Sequence, residues 1–210
     1  MLKSIDLFAG IGGIRMGFDN AFADDIKTVF VSEWDKFAQQ TYSANFEDGI
    51  SINGDITKID ETKLPYYDLI TYSSPCQDFS VAGLQKGGDL GSGTRSSLLW
   101  ECERIIRAVK PKYLLMENVK NLVGEKHKHN FIKWLKVLES MGYKNWWKVL
   151  NAKDYGVPQN RERVFVVSIL KEHDTEGFTF PEPFELETRL KDLLEDEVPE
   201  SYYLEQKTID

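Results

Sequence analysis

The chain has 210 residues, 41% of them apolar and 29% charged, with a formal net charge of −8, a composition that suits a globular protein with one sizeable core. No run approaches the roughly 18 apolar residues that a membrane span needs, and the opening residues lack the apolar stretch of a signal peptide. Two cysteines, Cys76 and Cys102, are too few for a disulfide framework, so an intracellular, reducing location without membrane attachment is expected.

Ser4-Ile5-Asp6-Leu7-Phe8 reads as a short strand, running into a Gly10-Ile11-Gly12-Gly13 turn and a helical stretch to about Phe22. Thr28–Ser32 is a second strand, followed by a helix around Asp35–Asn45. A weak third strand near Ile50–Asn53 ends at Gly54-Asp55, and Tyr67–Tyr72 is the fourth. From Leu98 to Val109 apolar residues fall at 98, 99, 102, 105, 106 and 109, a helical period. Tyr113–Met116 is a fifth strand, and Phe131–Met141 is helical with Gly142 as its C-cap. Trp147–Leu150 and Val164–Leu170 are two late strands. Strands alternating with helices predict an α/β domain over residues 1–170, with a mostly parallel sheet and helices on both faces.

Beyond Leu170 the pattern decays into an acidic extension, 171–210, with one short amphipathic piece near Leu190–Leu194. The extension holds 13 Asp+Glu against 4 Lys+Arg, which leaves 21 against 22 in residues 1–170. A near-neutral body lacks the basic excess of a self-sufficient nucleic-acid binder. Residues 80–97 show no periodicity and contain Gly83, Gly87, Gly88, Gly91 and Gly93. A loop of that length directly after Pro75-Cys76-Gln77 reads as a mobile lid over a site, the alternative being an ordinary surface loop.

In open α/β sheets ligands bind outside the carboxyl ends of the strands, and the chemically notable residues fall there. Gly10–Gly13 follows strand one, Glu33-Trp34 strand two, Asp55 strand three, Pro75-Cys76-Gln77 strand four and Glu117-Asn118 strand five. Residues without a Cβ let a ligand approach the backbone closely. A dinucleotide fingerprint would need a third glycine where Arg15 stands, whereas S-adenosylmethionine carries no pyrophosphate and needs only the close approach. Glu33, 20 positions after Gly13, can accept from ribose hydroxyls. Trp34 offers a flat face to an adenine and Asp55 an acceptor for its amino group. Ordinary core packing for Trp34 and a helix N-cap for Asp55 are the plainer readings.

Cys102 lies on the apolar face of a helix and reads as a small buried hydrophobe. Cys76 does not lie on such a face and is a candidate nucleophile, needing a lowered pKa or a base. Glu117 ends a strand expected to neighbour the one leading to Cys76, where a buried carboxyl can be held protonated and donate a hydrogen bond or a proton; capping the following turn is its plainer role. Gln159-Asn160-Arg161-Glu162-Arg163 precedes a strand, and its arginines either grip a phosphate or base or form a charged loop end.

Six segments together resemble the cytosine-5 DNA methyltransferases: Asp6-Leu7-Phe8-Ala9-Gly10-Ile11-Gly12-Gly13, Glu33-Trp34, Gly54-Asp55-Ile56, Pro75-Cys76-Gln77-Asp78-Phe79-Ser80, Met116-Glu117-Asn118-Val119 and Gln159-Asn160-Arg161-Glu162-Arg163-Val164. They keep the family's order between residue 5 and about residue 170. The resemblance implies a Rossmann-like class I S-adenosylmethionine-dependent methyltransferase fold. It implies that Phe8, Ala9, Gly10, Ile11, Gly12, Gly13, Glu33, Trp34, Asp55, Ile56, Pro75 and Leu98 hold S-adenosylmethionine, leaving S-adenosylhomocysteine as product. It further implies that a cytosine flipped out of double-stranded DNA is attacked at C6 by Cys76. Glu117 would bind the N3/N4 edge, with Gln77, Asn118, Arg161 and Arg163 completing the catalytic group, and no metal is required.

Two departures stand out. Ser73-Ser74 replaces the bulkier residue or second proline the family more often has before Pro75. Nothing after residue 170 resembles the target-recognition region or the late Gly-Asn-Ser-Val-type motif. The expectation is therefore a bacterial or phage-encoded cytoplasmic enzyme part that needs a second polypeptide or further region for recognition. A cofactor- or partner-binding remnant, a tRNA cytosine-5 methyltransferase and, more distantly, a nicotinamide oxidoreductase are the alternatives.

Overall fold

The structure, a computed structural model, describes residues 1–75 and 98–209. The elements are β1 (Leu2–Leu7), α1 (Gly13–Phe22), β2 (Ile26–Ser32), α2 (Lys36–Asn45), β3 (Ile52–Asn53), β4 (Leu69–Tyr72), α3 (Leu99–Val109), β5 (Tyr113–Val119), α4 (Lys128–Ser140), β6 (Tyr143–Asn151) and β7 (Glu162–Leu170). One seven-stranded sheet runs in the order β3-β2-β1-β4-β5-β7-β6. The pairs β2–β3, β1–β2, β1–β4 and β4–β5 are parallel, and β7 lies antiparallel to β5 from Tyr113↔Ile169 to Val119↔Arg163. This is the predicted α/β fold with a mostly parallel sheet.

The order reverses between β1 and β4: the chain winds outward from β1 to β3, then returns to start again at β4. Right-handed crossovers in both directions put α1 and α2 on one face and α3 and α4 on the other. The crevice above β1 and β4 is therefore the topological switch point. All four residues of β4 are buried, as expected of a central strand covered on both sides. Tyr72, Trp100 and Trp134 lock α3 and α4 to this strand: the Trp100 and Trp134 ring centroids are 5.7 Å apart edge-on, and Trp134 Nε1 donates to the Tyr72 hydroxyl at 3.2 Å. An edge-on aromatic pair adds about 0.5–1.5 kcal/mol beyond its buried area.

Most strand boundaries differ from the sequence reading by about two residues, and three elements differ by more. β5 continues through Glu117 and Asn118 to Val119, so these residues lie within the strand instead of following it, held there by pairing with Phe165 and Val164 of β7. α4 starts at Lys128 and β6 at Tyr143, both earlier than apolar periodicity indicates, because their first residues include exposed polar ones. Gly142, at φ 101°, closes α4 as expected.

The described chain forms two compact units, Met1–Leu150 with Glu162–Phe180 and Asn151–Arg161 with Pro181–Asp210. The first contains the sheet and the core. In the second, the Tyr155 hydroxyl donates to the Pro181 carbonyl at 3.1 Å, and the Phe184 ring stands edge-on to Tyr155. A 3-10 turn at Leu190–Leu193 leaves Leu190 and Leu193 exposed.

Candidate active site

The glycine turn is shaped by backbone that few residues tolerate. Phe8 (φ 55°), Gly10 (φ 55°) and Gly12 (φ 88°) all have positive φ, and for an aromatic such as Phe8 that conformation is strained. The two glycines are needed for different reasons. A Cβ on Gly12 would stand 2.2 Å from Phe46 Cε2, so this glycine admits α2's aromatic end. A Cβ on Gly10 would meet nothing within 4 Å among the described residues, so there its positive φ and not packing favours glycine, and the backbone stands open. Ala9 N–H donates to the Ser32 carbonyl at 3.1 Å, tying the turn to β2, while the Ile11 carbonyl accepts from Asn45 Nδ2 at 2.9 Å. Ile11 projects outward, more than half exposed, and Gly13 opens α1.

Glu33 locks this turn to the end of β2. Its Oε2 accepts the Gly10 N–H at 2.7 Å and its Oε1 the Asp35 N–H at 2.8 Å. Each carboxylate oxygen keeps one further acceptor position. Trp34 is 72% exposed, which removes the core-packing reading and leaves a bare indole face beside Glu33. Asp55 does serve as an N-cap: its Oδ1 accepts from Thr57 N and Thr57 Oγ1, and these bonds hold its carboxyl below the usual carboxylate range. Ile56 is 4% exposed with its side chain in the core, so only its main chain can meet a ligand. Leu98 is half-buried against the core at the start of α3.

Across the switch point, Asn118 Nδ2 donates to the carbonyl oxygen of Ser74 at 3.1 Å and to its Oγ at 3.3 Å, with both residues buried. This bond fixes the chain just before Pro75. Beside it, Arg163 Nε stands 3.0 Å from Glu117 Oε1, a diagonal pair on the β5–β7 ladder. Glu117 is thus held by a guanidinium and is partly exposed, a partner that the sequence reading of a buried carboxyl did not include. In the second unit the Arg161 N–H donates to Asn151 Oδ1 at 3.0 Å, and its carbonyl accepts from Ala152 N–H at 3.0 Å. Cys76, Gln77 and the 80–97 loop lie outside the described residues. Cys102 is fully buried, and burial pushes its thiol well up, so it is inert as expected.

Two residues gained roles the sequence reading did not give them. Arg15, read only as breaking a dinucleotide pattern, pairs with Asp19 and Asp48, donates to the Tyr42 hydroxyl at 3.2 Å and lies 4.0 Å over the Phe46 ring. It clamps α1 to α2 beneath the turn. Asp6 is 4% exposed; its Oδ1 accepts from Thr71 Oγ1 at 2.6 Å, and its Oδ2 has no hydrogen-bond partner. Burial pushes its carboxyl up to about 7. The signal available for Asp6 was a charge inside an otherwise apolar strand.

An open glycine backbone, a carboxylate with spare acceptor positions, an exposed indole and a capped aspartate thus stand at one edge of the sheet. No helix among the described residues is long and apolar enough to cross a membrane.

The chain is 59% identical over 156 residues to the type II methyltransferase M2.ScrFI of Lactococcus lactis subsp. cremoris, covering 74% of this chain and 43% of that protein. It is 46% identical over 207 residues to the type II methyltransferase M.NlaX of Neisseria lactamica, covering 99% of this chain and 64% of the relative. The solved structure of the Entamoeba histolytica methyltransferase EhMeth superposes with a TM-score of 0.77 over 100% of this chain and 64% of that one; at 22% identity this likeness concerns the fold. The chain thus spans between two fifths and two thirds of the length of these curated relatives. The C-5 cytosine-specific DNA methylase family matches residues 2–210, and with the sheet, the glycine turn and the β4–β5 edge in place, the chain belongs to that family.

Proposed function

We propose that this chain carries the catalytic machinery that transfers a methyl group to C5 of cytosine in DNA, through a temporary bond between Cys76 and C6 of a flipped base. The observation that carries the reading is the pairing of two halves at the switch point: the Gly10–Glu33 lock on the β1–β2 side and the Asn118–Ser74 bond on the β4–β5 side.

Bound over Gly10, S-adenosylmethionine supplies an electrophilic methyl group. Phe8, Ala9, Gly10, Ile11, Gly12 and Gly13 would form the turn that holds it, Glu33 would accept from its ribose hydroxyls, and Trp34, Asp55, the main chain of Ile56, Pro75 and Leu98 would complete the set that holds it. Residues on the β4–β5 side handle the cytosine, which must leave the duplex to be reached. The Cys76 thiolate forms a bond to C6, and the C5–C6 π electrons move toward C5. Glu117 supplies a proton at N3, so the ring accepts the electrons without building up full negative charge. Arg163 orients Glu117, Asn118 holds the approach to Cys76, and Gln77 borders the base. After C5 takes the methyl group, with S-adenosylhomocysteine as the leaving group, a water-derived base takes the C5 proton, the freed pair re-forms C5=C6 as the C6–S bond breaks to release the Cys76 thiolate, and the N3 proton returns to Glu117.

The relatives' remaining length is where we place sequence reading and further DNA grip. On this reading turnover needs that region, in the same polypeptide or in a second one. The acidic residues 171–210 would then form an extension beyond the 1–170 catalytic domain and lead toward it. The proposed setting is the bacterial or phage-infected cytoplasm.

The test uses the chain supplemented with the complementary region of a relative. Labelled methyl transfer to duplex DNA and to tRNA is measured, together with adduct formation on a 5-fluorocytosine duplex. Transfer to DNA and a gel-stable adduct, both lost in Cys76→Ser, are expected. Full-speed transfer by Cys76→Ser would overturn the mechanism, and transfer to tRNA alone would overturn the substrate.

A further inference from the structure

Residues 126–136 read Lys-His-Lys-His-Asn-Phe-Ile-Lys-Trp-Leu-Lys, and the helical period of α4 sorts them by face. Phe131, Trp134, Leu135 and Leu138 are buried in the core, while Lys128, Lys133 and Lys136 are exposed. Lys128, Ile132 and Lys136 follow at i, i+4 and i+8, one stripe whose end residues stand roughly 12 Å apart along the axis. Lys133 lies on the adjoining stripe with its Nζ 5.1 Å from the Trp100 ring centroid. Together with His129 these residues line a surface depression of ≈ 490 Å³.

Among the described residues no carboxylate neutralises the charge on this face. Lys58, Lys63, Lys112, Lys120 and Lys144 each sit on a carboxylate. Among the described residues, Lys128, Lys133 and Lys136 form no ion pair. In a chain of net charge −8, three unneutralised lysines within nine residues are a local positive field against the overall sign. Its place in the fold also matters. α4 follows β5 after the short turn Lys120–Val123, so its first turn leaves the sheet at the edge that carries Glu117 and Asn118.

We propose that this face of α4 docks the sugar-phosphate backbone of duplex DNA beside the point where the base enters. The inference rests on the function proposed above and adds a surface that none of the site residues supplies. Lysines are flexible point charges suited to phosphate, and a stripe roughly 12 Å long spans several phosphates of one strand, which follow at about 3.4 Å of axis each. Among the described residues the depression is lined by three lysines, Ile132 and His129, with no exposed Trp, Tyr or Phe, a charge-rich lining that favours backbone over base contact.

The experiment is fluorescence anisotropy of the full chain with a labelled duplex over a series of salt concentrations. Lys128→Gln/Lys133→Gln/Lys136→Gln is compared with Lys27→Gln/Lys110→Gln/Lys171→Gln, an equal charge change at the opposite edge of the sheet. The α4 variant is expected to bind roughly tenfold more weakly at low salt. Its log K against log salt should be shallower by about 0.9 for each phosphate that the variant no longer engages. S-adenosylmethionine binding stays unchanged in both variants, which shows that both are folded. Wild-type affinity and slope in the α4 variant, an equal loss in the far-edge variant, or a loss seen with structured RNA and not with duplex DNA would each overturn the docking surface. Absence of any salt-dependent duplex binding by the unaltered chain overturns this surface, whereas the proposed function, which takes further DNA grip from the relatives' remaining length, fails only if methyl transfer and adduct formation fail with that region supplied.

Discussion

Asn118 on β5 reaches across to Ser74, donating to its carbonyl oxygen at 3.1 Å and to its hydroxyl at 3.3 Å, while its own Oδ1 accepts the Val119 N–H at 2.9 Å. A buried amide thereby fixes the backbone immediately before the proposed nucleophile. Asn118→Ala strands the buried Ser74 carbonyl, at a cost of about 1–3 kcal/mol. Thermal unfolding reads that loss. Turnover per folded molecule should fall while cofactor affinity holds, and a kcat equal to wild type would show that the bond serves stability alone.

Gly10 and Gly12 should separate cleanly on substitution. Gly12→Ala drives a methyl group into Phe46 as well as straining a positive φ, so loss of folding dominates. Gly10→Ala meets no atom within 4 Å, and only the left-handed strain of about 1–2 kcal/mol opposes it. Its main effect is expected on S-adenosylmethionine, whose affinity by calorimetry should drop at least tenfold. Undiminished affinity in Gly10→Ala would remove the turn from the binding site.

Glu33 accepts from two backbone N–H groups at once. In Glu33→Gln the amide nitrogen has to face one of those donors, and the ribose loses a charged acceptor. A tenfold or greater rise in cofactor Kd is expected, about 1.4 kcal/mol or more. Equal affinity in the variant would indicate that the carboxylate braces the turn without touching the ligand.

Asp6 makes stability depend on pH with a definite sign. Burial pushes its carboxyl up to about 7, against the ordinary 3.8, with the Thr71 hydrogen bond and the Arg15 charge pulling the other way. Between these values the folded chain retains a proton that the unfolded chain has released. Stability therefore falls as pH rises from about 4 to about 7, and stays at the lower level above that. Asp6→Asn should melt a few degrees higher than wild type at about pH 8, with the difference closing toward about pH 4. A difference that grows toward acid would contradict the assignment.

The alternating strand and helix signals were enough to predict the α/β layout, because apolar residues recur with period where elements face a core. The glycine turn, Glu33 and Trp34 were legible because they follow strands in a predictable place. Arg15 was not: its partners Asp48 and Phe46 are brought to it only by the winding of α1 against α2. The Glu117–Arg163 pair was equally hidden, since it depends on β7 running antiparallel beside β5 across more than forty positions of sequence. Asp6 stood at the head of the glycine-turn segment, but its partnerless oxygen is a property of the strands and helices packed around it.

β7 is the last strand of the sheet to be made, yet it lies inside the sheet, between β5 and the earlier β6. A nascent chain leaving the ribosome therefore exposes a bare β5 rim until residue 170 has emerged. Arg163 cannot reach Glu117 before then, so the acidic residue stays unbraced until β7 is made. An open rim of unpaired N–H and C=O groups also invites pairing with neighbouring chains. The sticky interval thus ends only when the terminal hairpin slots home, and translational pausing upstream of Glu162 would prolong it.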